Sequence, residues 1–85
     1  MFVKIYGRPN CPYCDKAKAL AEKLKTTMPD FDYEYIDIIV AGLDKDDLSD
    51  MAGRPVSTVP QIFMNEMYVG GFTDFDALMK QLLNK

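Results

Sequence analysis

Histidine and tryptophan are absent from the 85 residues, and cysteine occurs only twice. Without histidine the chain cannot assemble a Ser–His–Asp or Cys–His catalytic pair. A closed zinc site takes four Cys/His ligands, so two cysteines could form one only across a second chain. Two cysteines are also too few for the multi-bridge scaffold of small secreted domains. At a spacing of three, a bond between them closes too short a ring to restrain the unfolded chain much. Runs of Lys and Arg are missing and the formal net charge is −3, which speaks against nucleic acid as the main partner. No segment reaches the roughly 18 apolar residues of a membrane-spanning helix. The chain opens directly in the strand-like run Met1-Phe2-Val3-Lys4-Ile5-Tyr6, with no basic segment leading into a long apolar stretch, so no leader is expected. No glycine-rich phosphate loop is present. At 48% hydrophobic and 27% charged residues the composition is that of an ordinary folded protein. The expectation is one domain over residues 1–85, cytoplasmic and monomeric.

What is present is Cys11-Pro12-Tyr13-Cys14, placed just after an apolar strand-like run. A Cys-x-x-Cys beside a β-α-β pattern is a redox motif. Positions i and i+3 on a first helical turn are neighbours, so the two sulfurs can bond or separate with little backbone motion. Cys11 falls at the helix start, where unpaired N–H groups and the helix dipole favour an anion; the thiolate is the nucleophilic form. Pro12 suits the first helical position. With no histidine, the helix terminus together with Arg8 or Lys16 must stabilise the thiolate. The expectation is a lowered pKa for Cys11 and an ordinary or raised one for Cys14, one turn inside.

Phe2 to Tyr6 reads as a first strand and Gly7-Arg8-Pro9-Asn10 as a turn. Cys14, Ala17, Leu20, Ala21 and Leu24 recur at helical spacing, giving a helix from Pro12 to Thr27. Phe31 to Ile39 reads as a second strand, parallel to the first through a right-handed crossover. Asp44 to Ala52 is a short acidic helix closed by Gly53; its aspartates lack the glycine and distal glutamate of a calcium loop and read as a solvated face. Gln61 to Met64 and Met67 to Val69 form a hairpin through Asn65-Glu66, where Asn tolerates positive φ. A last helix starts at Thr73 with the box-like pattern Thr73-x-x-Asp76 and the apolar stripe Phe75, Leu78, Met79, Leu82, Leu83. The fold class is α/β in the order β-α-β-α-β-β-α: a four-stranded mixed sheet with three helices covering both faces. Pro60 belongs at the first residue of its strand. Gly70-Gly71 permits close approach or positive φ, and the helix start that follows is a ready anion site.

Cys11-Pro12-Tyr13-Cys14, Thr58-Val59-Pro60 and Gly70-Gly71 followed by Thr73-Asp74 together resemble the glutaredoxins. The similarity extends to Gly7-Arg8 before the motif and Pro60-Gln61-Ile62-Phe63 after it, and is nearest to the small dithiol members of enteric bacteria and their phages. Thioredoxins carry Trp-Cys-Gly-Pro-Cys and lack the Gly-Gly-x-Thr-Asp element. The resemblance implies a thioredoxin-like fold and a cis bond at Val59–Pro60, with glutathione as reductant and no metal. It implies Cys11 as nucleophile and Cys14 as resolving thiol. It also implies a glutathione site of Arg8, Tyr13, Thr58, Val59, Pro60, Gly71, Thr73 and Asp74. Phe72, where many members have Tyr, is expected to pack only. Substrates would be disulfide-bearing or glutathionylated proteins, ribonucleotide reductase among them. The alternatives are an iron–sulfur carrier, against which Pro12 stands because cluster-binding relatives have a smaller residue there, and a binding module with inert thiols.

Overall fold

The computed structural model describes residues 1–83. Its elements are β1 (Phe2–Gly7), α1 (Pro12–Thr27), β2 (Asp32–Asp37), α2 (Ile38–Ala41), α3 (Lys45–Ala52), β3 (Gln61–Met64), β4 (Met67–Gly70) and α4 (Phe72–Leu83). One mixed sheet runs in the order β2-β1-β3-β4. The pair β1–β2 is parallel and the pairs β1–β3 and β3–β4 are antiparallel. This is the thioredoxin-like arrangement expected from the sequence.

Alternation along β1 sorts its side chains to two faces. Val3, Ile5 and Gly7 are buried, with Val3 and Ile5 against Ala17, Ala21 and Leu24 of α1 and Phe75 and Met79 of α4. Phe2, Lys4 and Tyr6 take the other face, where α3 gives only partial cover: they line a cavity of about 580 Å³ with Phe63 and with Met51 of α3. Leu48, 2% exposed, seats α3, and the Ser49 hydroxyl ties the helix to the following loop through the N–H and C=O of Val56.

Three expectations are corrected. The second strand stops at Asp37 instead of Ile39, because the Asp37 carboxylate accepts from the N–H groups of Ile39 (2.9 Å) and Val40 (3.3 Å) and starts a fourth, one-turn helix. Gly42 closes that turn at φ 73°, so four helices replace the three expected. The last helix begins at Phe72, one residue before Thr73. Its first helical bond runs from Phe75 N–H to the Gly71 carbonyl (3.0 Å), and the carboxylate that reaches back belongs to Asp74, accepting from Gly71 N–H at 3.3 Å. Asp76 pairs with Lys80 instead (2.9 Å).

Elsewhere the local rules hold. Asp44 caps α3 in a reciprocal box with Asp47, and the hydrogen bonds it accepts hold its carboxyl below the ordinary carboxylate pKa, backbone N–H of Asp47 first. The hairpin turn has both residues at positive φ, Asn65 at 48° and Glu66 at 72°, the geometry of a primed two-residue turn. Asn65 further accepts from Phe2 N–H (2.9 Å).

Candidate active site

Cys11 is the N-cap of α1 in extended conformation, with Pro12 at the first helical position. Extended φ/ψ there turns the side chain back over the helix end, and Cys14 N–H donates to Cys11 Sγ at 3.2 Å. Cys11 and Cys14 form a disulfide with Cα atoms 5.2 Å apart, so the structure is the oxidised form. Cys14 is 0% exposed and Cys11 8%. Both cysteines are buried, Cys11 keeping a small exposed fraction and Cys14 none.

The Thr58-Val59-Pro60 segment closes over this pair. The Val59–Pro60 bond is cis, and the Val59 carbonyl oxygen lies 3.7 Å from Cys11 Sγ. Gln61, a polar residue only 3% exposed, braces the segment from below. Its Nε2 donates to the Thr58 carbonyl at 2.8 Å, and its Oε1 accepts from the Tyr68 hydroxyl.

Two cavities meet at this segment. An open groove of about 660 Å³ brings together Tyr13, Thr58, Val59, Pro60, Gly71, Thr73 and Asp74. A second cavity of about 550 Å³ holds Cys11 and Arg8, with Lys45 and again Thr58 and Val59. Of the eight residues implied for glutathione, seven share the first groove; Arg8 stands apart from them in the second.

The ring of Phe72 lies 6.3 Å from that of Tyr13, and Lys16 Nζ sits 4.8 Å from the Tyr13 ring centre. Phe72 both packs and lines the groove, which extends the packing role expected for it. At the far end, Thr73 and Asp74 occupy the first turn of α4, whose N–H groups have no intrahelical acceptor. Gly70, at φ 124°, holds this corner: a Cβ there would overlap the Asp74 carboxylate. Gly71, by contrast, has room for a Cβ at 3.7 Å from the Pro60 carbonyl oxygen. Arg54, Ser57, Gln61 and Tyr68 also line the groove and were not singled out in the sequence. Of these, only Gln61 figures there, at the start of its strand and in the run Pro60-Gln61-Ile62-Phe63.

No helix among the described residues is long and apolar enough to cross a membrane, and no three potential metal ligands cluster among them.

The glutaredoxin family model matches residues 3–69. A glutaredoxin of Haemophilus influenzae is 62% identical over 81 residues, covering 95% of this chain and 93% of its own length. Glutaredoxin 1 of Escherichia coli is 52% identical over 80 residues, covering 94% of each chain. The solution structure of reduced Escherichia coli glutaredoxin superposes with a TM-score of 0.90 at 50% identity over the full length of both chains. Together with a Cys-x-x-Cys disulfide capping α1 against a cis-proline segment, these likenesses place the chain in the glutaredoxin family of thiol–disulfide oxidoreductases.

Proposed function

We propose that this protein is a glutathione-dependent oxidoreductase working in the cytoplasm as a monomer, reducing protein disulfides with both cysteines and glutathione mixed disulfides with Cys11 alone. The observation that carries the reading is the position of Cys11 Sγ. It caps a helix N-terminus, 3.7 Å from the Val59 carbonyl, at a segment whose far side forms the groove ending at Thr73 and Asp74.

In this reaction the Cys11 thiolate, favoured by the α1 N-terminus, attacks a sulfur of the substrate disulfide. A bond forms to Cys11 Sγ, the substrate bond breaks, and the leaving sulfur carries away the electron pair. With a protein substrate, Cys14 then attacks Cys11 Sγ, releases the second substrate thiol and leaves the disulfide seen in the structure. Glutathione thiolate reopens it at Cys11, and a second glutathione removes the first as glutathione disulfide. With a glutathione mixed disulfide, Cys11 takes the glutathionyl group and Cys14 is not needed. Rates follow thiolate fraction, leaving-group pKa and access.

The groove suits glutathione by chemistry. The first N–H groups of α4 match the γ-glutamyl carboxylate, and the Asp74 carboxylate matches its ammonium. The Val59 backbone can pair with the cysteinyl unit as in strand addition, Tyr13 flanks the sulfur, and Arg8 offers a cation for the glycine carboxylate. Ribonucleotide reductase is the proposed protein acceptor by family analogy.

The test is NADPH consumption coupled through glutathione and glutathione reductase to a glutathione mixed disulfide. Cys11→Ser abolishes turnover, whereas Cys14→Ser keeps it and loses only protein-disulfide reduction. Absence of turnover in the unmodified protein would overturn the glutathione reading.

A further inference from the structure

Cys14 is fully buried, yet each reduction of the Cys11–Cys14 bond must release it as an anion, and a thiolate created away from water is unfavourable unless a donor meets it. Outside the cysteine motif, the Tyr35 hydroxyl is a donor that borders the same small space at Gly7 as Cys14. Tyr35 lies on β2 opposite Ile5 in the parallel register, on the sheet face covered by α1, and its half-buried ring has Lys18 Nζ 5.1 Å from its centre. Its hydroxyl reaches along the sheet to Gly7. A Cβ at Gly7 would overlap that hydroxyl and would stand 3.1 Å from Cys14 Cβ. The space left by the missing side chain is thus bordered by both Tyr35 Oη and Cys14 Cβ.

We propose that Tyr35 is a positioning residue for disulfide exchange: its hydroxyl, admitted beside Cys14 by the bare Gly7, donates a hydrogen bond to the Cys14 sulfur as that sulfur leaves Cys11. The step balances without proton loss from tyrosine. An incoming thiol gives up its proton and its thiolate bonds to Cys11 Sγ. The Cys11–Cys14 bond breaks with both electrons on Cys14, and the released proton finally neutralises Cys14. Tyr35 stays protonated throughout, since burial first, and then the carboxylates of Asp15 on α1 and Asp37 on β2, raise its pKa above the ordinary value. The inference rests on the reading of Cys14 as the thiol released within the dithiol cycle.

The test uses Tyr35→Phe, which keeps the ring, in the full chain. Reduction of the Cys11–Cys14 disulfide is timed by acid quench and alkylation with two reductants, dithiothreitol and glutathione. Loss of a hydrogen bond to a developing charge slows reduction on the order of tenfold with both. Turnover of a glutathione mixed disulfide in a Cys14→Ser background stays within twofold, since no Cys14 anion forms there. The Cys14 thiol pKa, followed by its ¹³Cβ shift in the reduced protein, rises by about one unit. In the unmodified protein, the Tyr35 ¹³Cζ shift follows the Cys14 titration, a readout independent of any variant's folding. A disulfide-reduction rate within twofold of the unmodified protein, an equal loss in the Cys14→Ser background, or a Tyr35 signal blind to the Cys14 titration would overturn the proposal. Reduction by dithiothreitol but not by glutathione would remove the glutathione reading and leave the role of Tyr35 to be decided on dithiothreitol alone.

Discussion

Two neighbouring glycines do different work. Gly70 is at φ 124° with its hydrogen aimed at the Asp74 carboxylate, whereas Gly71 has ordinary clearance. Gly70→Ala combines an unfavourable backbone region with a collision, and such strain costs about 1–3 kcal/mol. It also displaces Asp74 from the groove. The expected result is a lower urea midpoint together with a KM for glutathione that rises more than kcat falls. Gly71→Ala is expected to shift stability by no more than about 0.5 kcal/mol. The sequence permits close approach or positive φ at either glycine, and the resemblance points to Gly71; that Gly70 is the constrained one depends on where the Asp74 side chain turns, which is set by α4 starting at Phe72. Gln61 is similar. Its place after Pro60 was legible, but its hold on Thr58 depends on Tyr68 arriving from the neighbouring strand.

At the level of elements, the strands, the long helices and the site segments could be read from periodicity and motif, because their apolar spacing and their capping residues agree. The structure departs from the sequence expectation where those two signals conflict. Ile38-Ile39 is β-branched and reads as the end of a strand, yet Asp37 caps the segment, Gly42 closes it, and Ile39 and the following Val40 are 65% and 85% exposed. With little burial to favour a strand, the cap decides. Asp37→Ala is therefore expected to cost about 1 kcal/mol in urea unfolding, and Asp37→Asn, an equally good cap, to restore most of it. A wild-type midpoint for Asp37→Ala would show that the turn forms without its cap. The start of α4 is ambiguous in the sequence for a related reason: Thr73-x-x-Asp76 and Gly71-x-x-Asp74 both offer a carboxylate three residues on, and only the helix position distinguishes them.

For the whole molecule, a single sheet carries the core on one face, and α1 is fastened to β2 at its edge by the hydrogen bond from the Tyr33 hydroxyl to Glu22. That carboxylate first, and burial second, push the Tyr33 pKa up to about 12. In the unfolded chain the phenol titrates near 10. A folded pKa above the unfolded one means that the bond stabilises fully below pH ~10 and that its contribution disappears as pH climbs toward about 12. The pair is largely exposed, so the contribution stays below about 1 kcal/mol. Tyr33→Phe is expected to lower the urea midpoint slightly at pH 8, with the gap narrowing above pH ~10; a gap constant to the alkaline end would assign the difference to packing.

Thr58 and Val59 line both cavities, and Cys11 stands in the second of them, so the two sides of the reaction share one wall. On the proposed reaction, a protein disulfide and glutathione cannot hold Cys11 at the same moment; each must depart before the other engages. Steady-state velocity then takes the substituted-enzyme form. Double-reciprocal plots against one substrate, at several fixed concentrations of the other, run parallel, and each substrate in excess competes with its counterpart for the wrong redox form of the enzyme.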